Sequence, residues 1–380
     1  MRVCYLADPT STHTVKWLAY FVRCGHEVHL MGWNPPRDAA LAGVHYHHLP
    51  DELEQPFPAL VRSALWHLRL WPIVHGRQMD LLLRRIQPDI FDILMLNADQ
   101  IPAALAWPGP LVVTPWGSDL LVYPKHYRPL TRFFLRRALR RADMVLCNSG
   151  QLVQAALRLG AQPGRIRRVG QIVDLARFCP GLDGSTLANR LGLTGWPLLL
   201  SPRQLQPNYR IEVLIRALAE VLPVFPQAQL VLLGKRDLDP AYVAGLDALI
   251  GRLGVQEHVN FAGWFDYREM PLLYALADVV LSVPVSDSRP SSVFEAMACG
   301  VPAVVSDLDA LREVVREGDT GLLTPGDDPQ AVAAAILRLL GDDPLRQRIV
   351  AQALDFVRCE GDYETQMARV AGYYDELLRN

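Results

Sequence analysis

The residues best suited to bind a charged, hydroxylated ligand lie in a polar stretch of the second half of the chain. Asp287 and Glu295 are eight positions apart, and apolar runs typical of β-strands lie on both sides, at 278–284 and 301–306. Two carboxylates at this separation can accept hydrogen bonds from hydroxyl groups on opposite sides of a bound diphosphate. A nucleotide-sugar, with ribose, diphosphate and hexose in a row, has that chemical shape.

A short helix is predicted between the two apolar runs. It should begin near Ser292 and end before Gly300, with Ser291 or Ser292 capping its first turn. The N–H groups at a helix start and the helix dipole favour anions, so the backbone near Val293 and Phe294 is predicted to bind phosphate. The alternative is an ordinary capped helix, in which the acidic residue inside it is solvated.

The run that starts at Asp287 resembles the signature of family 4 retaining glycosyltransferases. The signature has two acids eight apart, and this chain continues as EAMACGVPAVVS over 295–306. The first acid is usually Glu in that family, whereas here it is Asp287. The resemblance implies that Glu295 holds the ribose, that Asp287 holds the sugar hydroxyls, and that the sugar is transferred on the same face. It extends over nearly the whole chain and is strongest at 198–325.

Length and composition bound the remaining possibilities. A chain of 380 residues, half of them hydrophobic, suits two domains of about 180 residues each. The net charge of −2 argues against nucleic acid as the main partner. Through residue 174 there are 20 Lys and Arg against 13 Asp and Glu, so the first half is the half expected to meet an anionic surface or acceptor.

Short apolar runs alternate with helical patterns in both halves, which predicts an α/β fold of two doubly wound parallel-sheet domains. The predicted strands are 3–7, 27–31, 90–96, 111–114, 144–148, 198–201, 230–234, 259–263, 279–284, 303–306 and 321–324. The resemblance implies the GT-B fold, in which two Rossmann-like domains face a cleft and a C-terminal helix crosses back to the first domain. The predicted domains are 1–175 with helix 362–380, on the acceptor side, and 176–361, which binds the donor.

The loops after the strands of the first domain should carry functional side chains, because ligands bind outside the carboxyl ends of parallel strands. The loop after the first strand offers His13 and lacks the Gly-Gly pair common in the resembled family. His13 is predicted to contact donor or acceptor, the alternative being a residue that only lies near the helix start. Trp116 takes the place of the family's usual His, and Gly117 permits close backbone approach. Asp119 either braces this loop or touches ligand.

In the second domain, Arg203 follows a strand and matches the family's diphosphate-binding Arg, the alternative being a surface ion pair. The Lys that usually follows is absent, and Lys235 or Arg210 is the expected substitute. Gly263 and Trp264 resemble the segment that receives the nucleobase, where Trp264 or Phe265 stacks on the base, the alternative being that either is core.

No cofactor is predicted beyond the nucleotide-sugar co-substrate, and no run of His, Asp or Cys has metal-ligand spacing. The six cysteines include no short-spaced pair, which predicts buried free thiols in a reducing compartment. The N-terminus lacks a signal-peptide pattern, and no stretch reaches the roughly 18 apolar residues that span a membrane. A cytoplasmic location is therefore expected.

The segment 123–141 holds seven Lys and Arg, interleaved with apolar residues, and no acid. It is predicted to be a solvated basic helix with one face in the core, the alternative being a surface that rests on an anionic membrane. The Trp-, His- and Arg-rich segment 57–85 is expected to extend the same surface.

These features favour a metal-independent retaining glycosyltransferase that moves a hexose from a nucleoside diphosphate sugar to a hydroxyl acceptor. One alternative is an inactive nucleotide-sugar binding protein, since the Lys, His and Gly-Gly of the family are all replaced. Another is an epimerase or phosphorylase of the same fold, because fold does not fix function.

Overall fold

The computed structural model describes residues 1–36, 41–52 and 71–379. The chain divides into two compact units, here the N-terminal unit, Met1–Val169 with Glu364–Asn380, and the C-terminal unit, Gly170–Tyr363. The predicted domain boundary at 175 lies shortly after this division. Of the segment 57–85, the part up to residue 70 lies outside the described residues. None of the described helices is both long enough and apolar enough to cross a membrane.

The N-terminal unit is built on a seven-stranded parallel sheet of order β3-β2-β1-β4-β5-β6-β7. Its strands are β1 Arg2–Leu6, β2 Glu27–Gly32, β3 Val44–His48, β4 Ile90–Leu94, β5 Leu111–Thr114, β6 Met144–Cys147 and β7 Ile166–Arg168. Its helices are α1 Thr12–Arg23, α2 Leu49–Glu52, α3 Trp71–Ile86, α4 Ile101–Ala106, α5 Ser118–Leu121, α6 Tyr123–His126, α7 Pro129–Arg141 and α8 Gly150–Arg158. The order of the strands reverses between β1 and β4, where the loops after both strands diverge.

The C-terminal unit has a six-stranded parallel sheet of order β10-β9-β8-β11-β12-β13, with the reversal between β8 and β11. Its strands are β8 Leu198–Ser201, β9 Gln229–Leu233, β10 Val259–Gly263, β11 Val279–Ser282, β12 Ala303–Ser306 and β13 Leu322–Thr324. Its helices are α9 Ser185–Leu191, α10 Ile211–Val221, α11 Pro240–Leu253, α12 Met270–Leu276, α13 Ser291–Ala298, α14 Asp309–Arg312, α15 Pro329–Gly341 and α16 Asp343–Glu360. Both units are thus doubly wound, as predicted.

The central strands of both sheets are continuous apolar runs because helices cover both faces of a parallel sheet. All residues of β4, β5, β6, β8 and β11 are buried. The sequence therefore predicted these strands within about two residues of their observed ends.

Two strands were missed, and both are edges of the N-terminal sheet. The strand β3 has the sequence VHYHH and β7 has the sequence IRR. An edge strand is buried less and is often short and polar, so its pattern lacks the apolar signal of a central strand.

The C-terminal helix α17 spans Tyr363–Arg379 and belongs largely to the N-terminal unit. Met367, Val370 and Tyr374 recur at helical spacing and are fully buried. Tyr374 stacks on Phe21 of α1, with ring centroids 5.2 Å apart. The prediction that the chain ends in a helix packed on the first domain is confirmed.

Candidate functional site

The two loops at the strand reversal of the C-terminal unit meet through a charged pair. Arg203 follows β8 and Asp287 follows β11, the two strands on either side of the reversal. Arg203 Nη2 donates to Asp287 Oδ2 at 2.6 Å. Their side chains are only 12% and 15% exposed, so the pair is largely shielded from water. The point of reversal is where open α/β sheets bind ligands, and the structure brings these two predicted residues together there.

Arg203 is fixed by three groups in different segments. Besides Asp287, its Nη1 donates to the Ser292 hydroxyl at 3.1 Å, and its guanidinium lies 4.2 Å from the ring centroid of Tyr209. A guanidinium held in this way keeps a defined orientation and presents a planar set of N–H donors. Arg203 does form an ion pair, but the pair is mostly shielded from water and the guanidinium is also bonded to the start of α13, so it differs from an ordinary surface ion pair.

Asp287 is also held from two sides. Its Oδ2 accepts from Arg203, and its Oδ1 accepts from the backbone N–H of Ser288 at 2.8 Å. A carboxylate offers about four lone-pair sites, so each oxygen keeps capacity for a further donor such as a ligand hydroxyl.

Helix α13 begins one residue earlier than predicted, and the predicted serine cap is wrong. Pro290 is the N-cap residue, in an extended conformation and without a side-chain cap. The Ser291 hydroxyl instead accepts from the Gln171 amide, and the Ser292 hydroxyl accepts from Arg203. Both serines lie inside the first turn, so their hydroxyls serve neighbouring segments.

The backbone N–H groups in the first turn of α13 were predicted to be unpaired and to bind phosphate. One of them has a partner in the structure. The N–H of Val293 donates to the carbonyl of Pro290 at 3.1 Å, which closes a turn. The side chains of Val293 and Phe294 are fully buried, so only backbone atoms of these residues could face a ligand.

Glu295 is buried and bonded to two tyrosines that the sequence analysis missed. Its Oε1 accepts from Tyr267 OH at 2.8 Å, and its Oε2 accepts from Tyr274 OH at 3.0 Å. Burial and the nearby carboxylate raise the pKa of both phenols above the usual tyrosine range. The alternative of a solvated Glu295 is therefore wrong. Sequence gave no signal for these tyrosines, since they are 28 and 21 positions away.

Both expected substitutes for the missing Lys lie at the carboxyl edge of the same sheet. Lys235 follows β9 and is exposed. Arg210 follows the β8 loop, and its guanidinium lies close to Gly326, beyond the end of β13. Two cations are thus available at this edge in addition to Arg203.

The proposed nucleobase segment ends strand β10. Gly263 has a φ of +77° and open space where a Cβ would lie, so a ligand can approach its backbone. Trp264 is 62% exposed, whereas Phe265 packs against the core and near the Arg190 guanidinium. Of the two aromatic residues, Trp264 is the one free to stack on a ligand.

In the N-terminal unit, His13 and Trp116 lie side by side, with ring centroids 5.4 Å apart. They come from the segments after β1 and β5. Burial, with a contribution from nearby Lys16, lowers the pKa of His13 to about 4, so the imidazole is neutral at pH 7. His13 thus packs against the loop that carries Trp116 and Gly117, and its contact with donor or acceptor stays a prediction.

Asp119 braces that loop. Its fully buried carboxylate accepts from the backbone N–H groups of Leu96, Trp116 and Gly117 at 2.9–3.2 Å. Gly117 has a φ of +141°, which requires glycine. Burial raises the pKa of Asp119 to about 6, and the bonds from these amides oppose the rise. The bracing interpretation is the one the geometry supports.

The prediction for the thiols needs correction. All six cysteines are free, but Cys24 and Cys359 are exposed, contrary to the expectation of burial. The prediction that no metal is bound stays a prediction, but Glu27, His29 and His45 place possible ligand atoms within 4.8 Å of one another. Pairing between neighbouring strands creates this cluster, so spacing along the sequence did not reveal it.

Comparison with known proteins identifies both units. Residues 10–177 match the model of Glycosyltransferase Family 4, and residues 188–355 match that of Glycosyl transferases group 1. The phosphatidyl-myo-inositol mannosyltransferase of Mycobacterium leprae is 29% identical over 336 residues, which cover 84% of this chain and 82% of that protein. The D-inositol 3-phosphate glycosyltransferase of Acidothermus cellulolyticus is 35% identical over 224 residues, covering 56% of this chain and 49% of that protein.

A solved structure, that of Anabaena Alr3699/HepE in complex with UDP, superposes with a TM-score of 0.81 over 99% of this chain and 100% of that chain, at 20% identity. At this identity the likeness concerns the fold, which is GT-B. The family matches, which between them take in both sheets, lead to a single assignment: this chain belongs to the glycosyltransferases of family 4.

Proposed function

We propose that this glycosyltransferase moves a hexose from a nucleoside diphosphate sugar to a hydroxyl acceptor, with retention of configuration and without a metal ion at the diphosphate. The observation that carries the proposal is Arg203, held by Asp287 and Ser292 at the strand reversal of the C-terminal unit. This arrangement joins a phosphate-binding cation to a carboxylate that can bind sugar hydroxyls.

The diphosphate would lie between Arg203 and the start of α13. The guanidinium supplies charge-assisted donors, and the helix dipole adds positive potential at Ser291 and Ser292. Lys235 and Arg210, at the same edge of the sheet, can replace the Lys that is usual in this family. Because these groups carry the positive charge needed for departure of the diphosphate, transfer should need no metal.

The transfer step follows from this placement. The bond between the anomeric carbon and the phosphate oxygen breaks, and the acceptor oxygen bonds to the same carbon on the same face. The acceptor proton passes to the departing phosphate. In this mechanism Asp287 positions the sugar through its hydroxyls, and Arg203 stabilises the charge that develops on the leaving group. His13, neutral at pH 7, is proposed to contact the substrates from the N-terminal unit beside Trp116 and the backbone of Gly117.

The nucleoside would be held by two further groups. Trp264 is exposed beside Gly263 and offers a surface on which a base can stack. Glu295, the proposed ribose ligand, already accepts from two tyrosines, so it would bind the ribose with its remaining lone pairs. The tyrosines thus fix the carboxylate in place before the donor arrives.

We further propose that the acceptor hydroxyl is carried by an anionic lipid, as the name of the M. leprae relative says of its own substrate. Helix α7 supports this, because its buried face packs into the core while Leu130 and Phe133 are each 58% exposed. Arg136, Arg137 and Arg140 are exposed on the same helix. Apolar residues flanked by cations suit the surface of an anionic bilayer.

The test uses the full chain with a panel of UDP-, GDP-, ADP- and dTDP-hexoses. A donor that binds should raise the melting temperature, and adding vesicles that contain phosphatidylinositol should release the nucleoside diphosphate. Nuclear magnetic resonance of the product should show the anomeric configuration of the donor. Binding without release on any acceptor would favour an inactive binding protein. Epimer formation without an acceptor, or reaction with inorganic phosphate, would favour the other enzyme classes, and an inverted product would contradict retention.

A further inference from the structure

A cluster of histidines covers one face of the sheet edge formed by β2 and β3. The two strands are parallel neighbours, and His29 pairs in register with His45. Alternate residues of a strand share a face, so Glu27 and His29 lie on the same face as His45 and His47. The rings of His29 and His45 stack with centroids 4.8 Å apart, and those of His29 and His47 with centroids 5.2 Å apart.

Three close contacts link the side chains of this cluster, and two neutral imidazoles do not carry enough protons to make all three hydrogen bonds. Glu27 Oε1 is 3.1 Å from His29 Nε2, His29 Nδ1 is 2.9 Å from His47 Nε2, and His47 Nδ1 is 3.4 Å from Glu52 Oε1. Each contact needs a proton between its two atoms, whereas two neutral imidazoles carry only two protons for three contacts. All three contacts can therefore be satisfied together only if the chain from Glu27 to Glu52 gains a proton or if a metal ion takes the place of one.

We propose that Glu27, His29 and His45 bind one divalent transition-metal ion of the zinc type. Two imidazoles and one carboxylate form a ligand set that Zn²⁺ uses in proteins, with a fourth position left to water. The ligand atoms of the three residues all lie within 4.8 Å of one another. With a metal at the contact between Glu27 and His29, the two imidazole protons satisfy the two remaining contacts.

The ion requires only a local adjustment. Tetrahedral Zn²⁺ with bonds of roughly 2.0–2.2 Å places its ligand atoms about 3.3–3.5 Å apart. Glu27 and His29 are already near this spacing, and His45 is exposed and can rotate toward them. Glu27 Oε1, the oxygen near His29, would bind the metal while it keeps its ion pair with Arg2 at 2.8 Å.

His47 and Glu52 would not bind the metal themselves but would hydrogen-bond in series to the ligand His29. In the metal-bound state His29 Nδ1–H donates to His47, and His47 in turn donates to Glu52. Such outer partners fix the tautomer and the ring orientation of a metal-binding histidine. This arrangement gives the run of histidines in β3 a purpose that the proposed transfer reaction does not.

The position of the cluster indicates a structural role. Glu27 is the first residue of β2, so the cluster lies toward the amino ends of the strands, away from the carboxyl edge that carries the substrate loops. A metal here would join the edge strand β3 to β2.

The experiment measures Zn²⁺ binding by calorimetry on full-length protein that carries no histidine tag and has been treated with chelator. The expected result is one Zn²⁺ per chain with a dissociation constant below about 10 µM, together with slower hydrogen exchange in 27–32 and 44–48. Co²⁺ should give intense visible absorption typical of tetrahedral coordination. His45→Gln, at an exposed position, and His29→Gln should each weaken binding at least tenfold.

The matched control is His48→Gln. His48 is on the same strand but on the opposite face, where it bonds to Asp51. Its replacement should leave the affinity for Zn²⁺ within twofold. Absence of saturable binding at 100 µM Zn²⁺ would overturn the proposal. Binding that survives both His45→Gln and His29→Gln, or that His48→Gln weakens equally, would also overturn it. If His29→Gln fails to fold, the exposed His45→Gln alone decides.

Discussion

Arg203 is the residue on which the proposed chemistry depends most. Its replacement by Ala removes the phosphate-binding cation and leaves the shielded carboxylate of Asp287 without its charged partner. A charge-assisted hydrogen bond contributes about 1.5–3 kcal/mol, so binding of nucleoside diphosphate and of donor should each fall by more than about tenfold. Titration calorimetry with UDP and GDP measures this directly.

Arg236→Ala is the control for Arg203→Ala. Arg236 also pairs with an acid at 2.6 Å and packs on an aromatic ring, but it is exposed. We expect its replacement to change nucleotide affinity by less than twofold. Unchanged nucleotide binding in Arg203→Ala, with the fold intact by circular dichroism, would place the diphosphate elsewhere.

Replacement of Asp287 and replacement of Glu295 should change the affinities for nucleotide-sugar and for bare nucleoside diphosphate differently. Asp287→Ala should weaken the nucleotide-sugar and change the affinity for bare nucleoside diphosphate little, because its proposed contacts are to the sugar. Glu295→Ala should weaken both ligands through the ribose. It should also lower the free energy of unfolding by about 1–3 kcal/mol, since the buried phenol of Tyr274 and the partly buried phenol of Tyr267 lose their acceptor.

Comparing ligand affinities with urea unfolding separates these effects. Tyr274→Phe is the companion variant, because it removes one donor to Glu295 without removing the carboxylate. It should affect stability more than ribose binding. If Asp287→Ala and Glu295→Ala lose affinity for nucleotide equally, the division of roles between the two acids is wrong.

At the scale of elements, the C-terminal helix α17 is tied to the N-terminal sheet by a buried carboxylic acid. Asp92 on β4 accepts from Thr114 Oγ1 at 2.9 Å and from Tyr374 OH on α17. Burial raises the pKa of Asp92 to about 7, although both hydrogen bonds oppose the rise. The unfolded chain releases this proton near the ordinary pKa of about 3.9.

The pH dependence of stability follows from that difference. Between pH 4 and pH 7 Asp92 is protonated more fully in the folded protein than in the unfolded chain, so its contribution to the free energy of unfolding falls as pH rises. One proton corresponds to a slope of at most about 1.4 kcal/mol per pH unit. Asp92→Asn should remove this contribution from the slope measured in urea titrations. Asp119, whose pKa is raised to about 6, keeps a contribution of the same sign, and His13, whose pKa is lowered to about 4, keeps one of the opposite sign.

Asp99→Asn, at an exposed position of the same unit, should leave the slope unchanged. A slope in Asp92→Asn equal to that of the parent protein would show that Asp92 ionises in the folded state as readily as in the unfolded chain.

Helix α7 should bind anionic vesicles through its exposed cations. Arg136, Arg137 and Arg140 are exposed, whereas Arg141 donates to the carbonyls of Trp107 and Gly109 and therefore holds the fold together. Changing the first three to Gln should weaken co-sedimentation about 100-fold at low salt, at about 1 kcal/mol per charge. In the parent protein, binding should weaken steeply as salt rises.

A control of equal charge change replaces three exposed arginines of the C-terminal unit, Arg216, Arg252 and Arg348. It should bind vesicles like the parent protein, and both triple variants should bind donor normally. If the parent protein fails to co-sediment even at low ionic strength, α7 is a solvated basic helix.

At the scale of the whole molecule, removal of metal should separate catalysis from stability. We expect transfer to proceed at the parent rate in EDTA at 25 °C, because Arg203 and the start of α13 supply the positive charge at the diphosphate. The metal proposed at Glu27, His29 and His45 would be removed by the same treatment, and its loss should lower the melting temperature. Loss of transfer that Mg²⁺ or Mn²⁺ restores would contradict metal-independent chemistry.

Local patterns determined much of this protein. The alternation of strands and helices, the buried central strands and the helix near Ser292 follow from hydrophobic periodicity and from the stop signal at Gly300. Arg203 was assigned from its match to the resembled family and Asp287 from its spacing to Glu295, and both follow strands whose loops lie at one edge of the sheet. That rule requires only the strand ends, which the sequence contains.

Features that depend on partners distant in sequence become visible only in the folded chain. The tyrosines on Glu295 and the contact between Asp92 and Tyr374, which joins residues 282 positions apart, have no signal in local spacing. The edge strand β3 was missed because its histidines do not follow an apolar pattern. Its pairing with β2 then created the cluster at His29. The sequence specifies the chemistry of each side chain. Which side chains come into contact depends on strand register and packing, and these arise only when the chain folds.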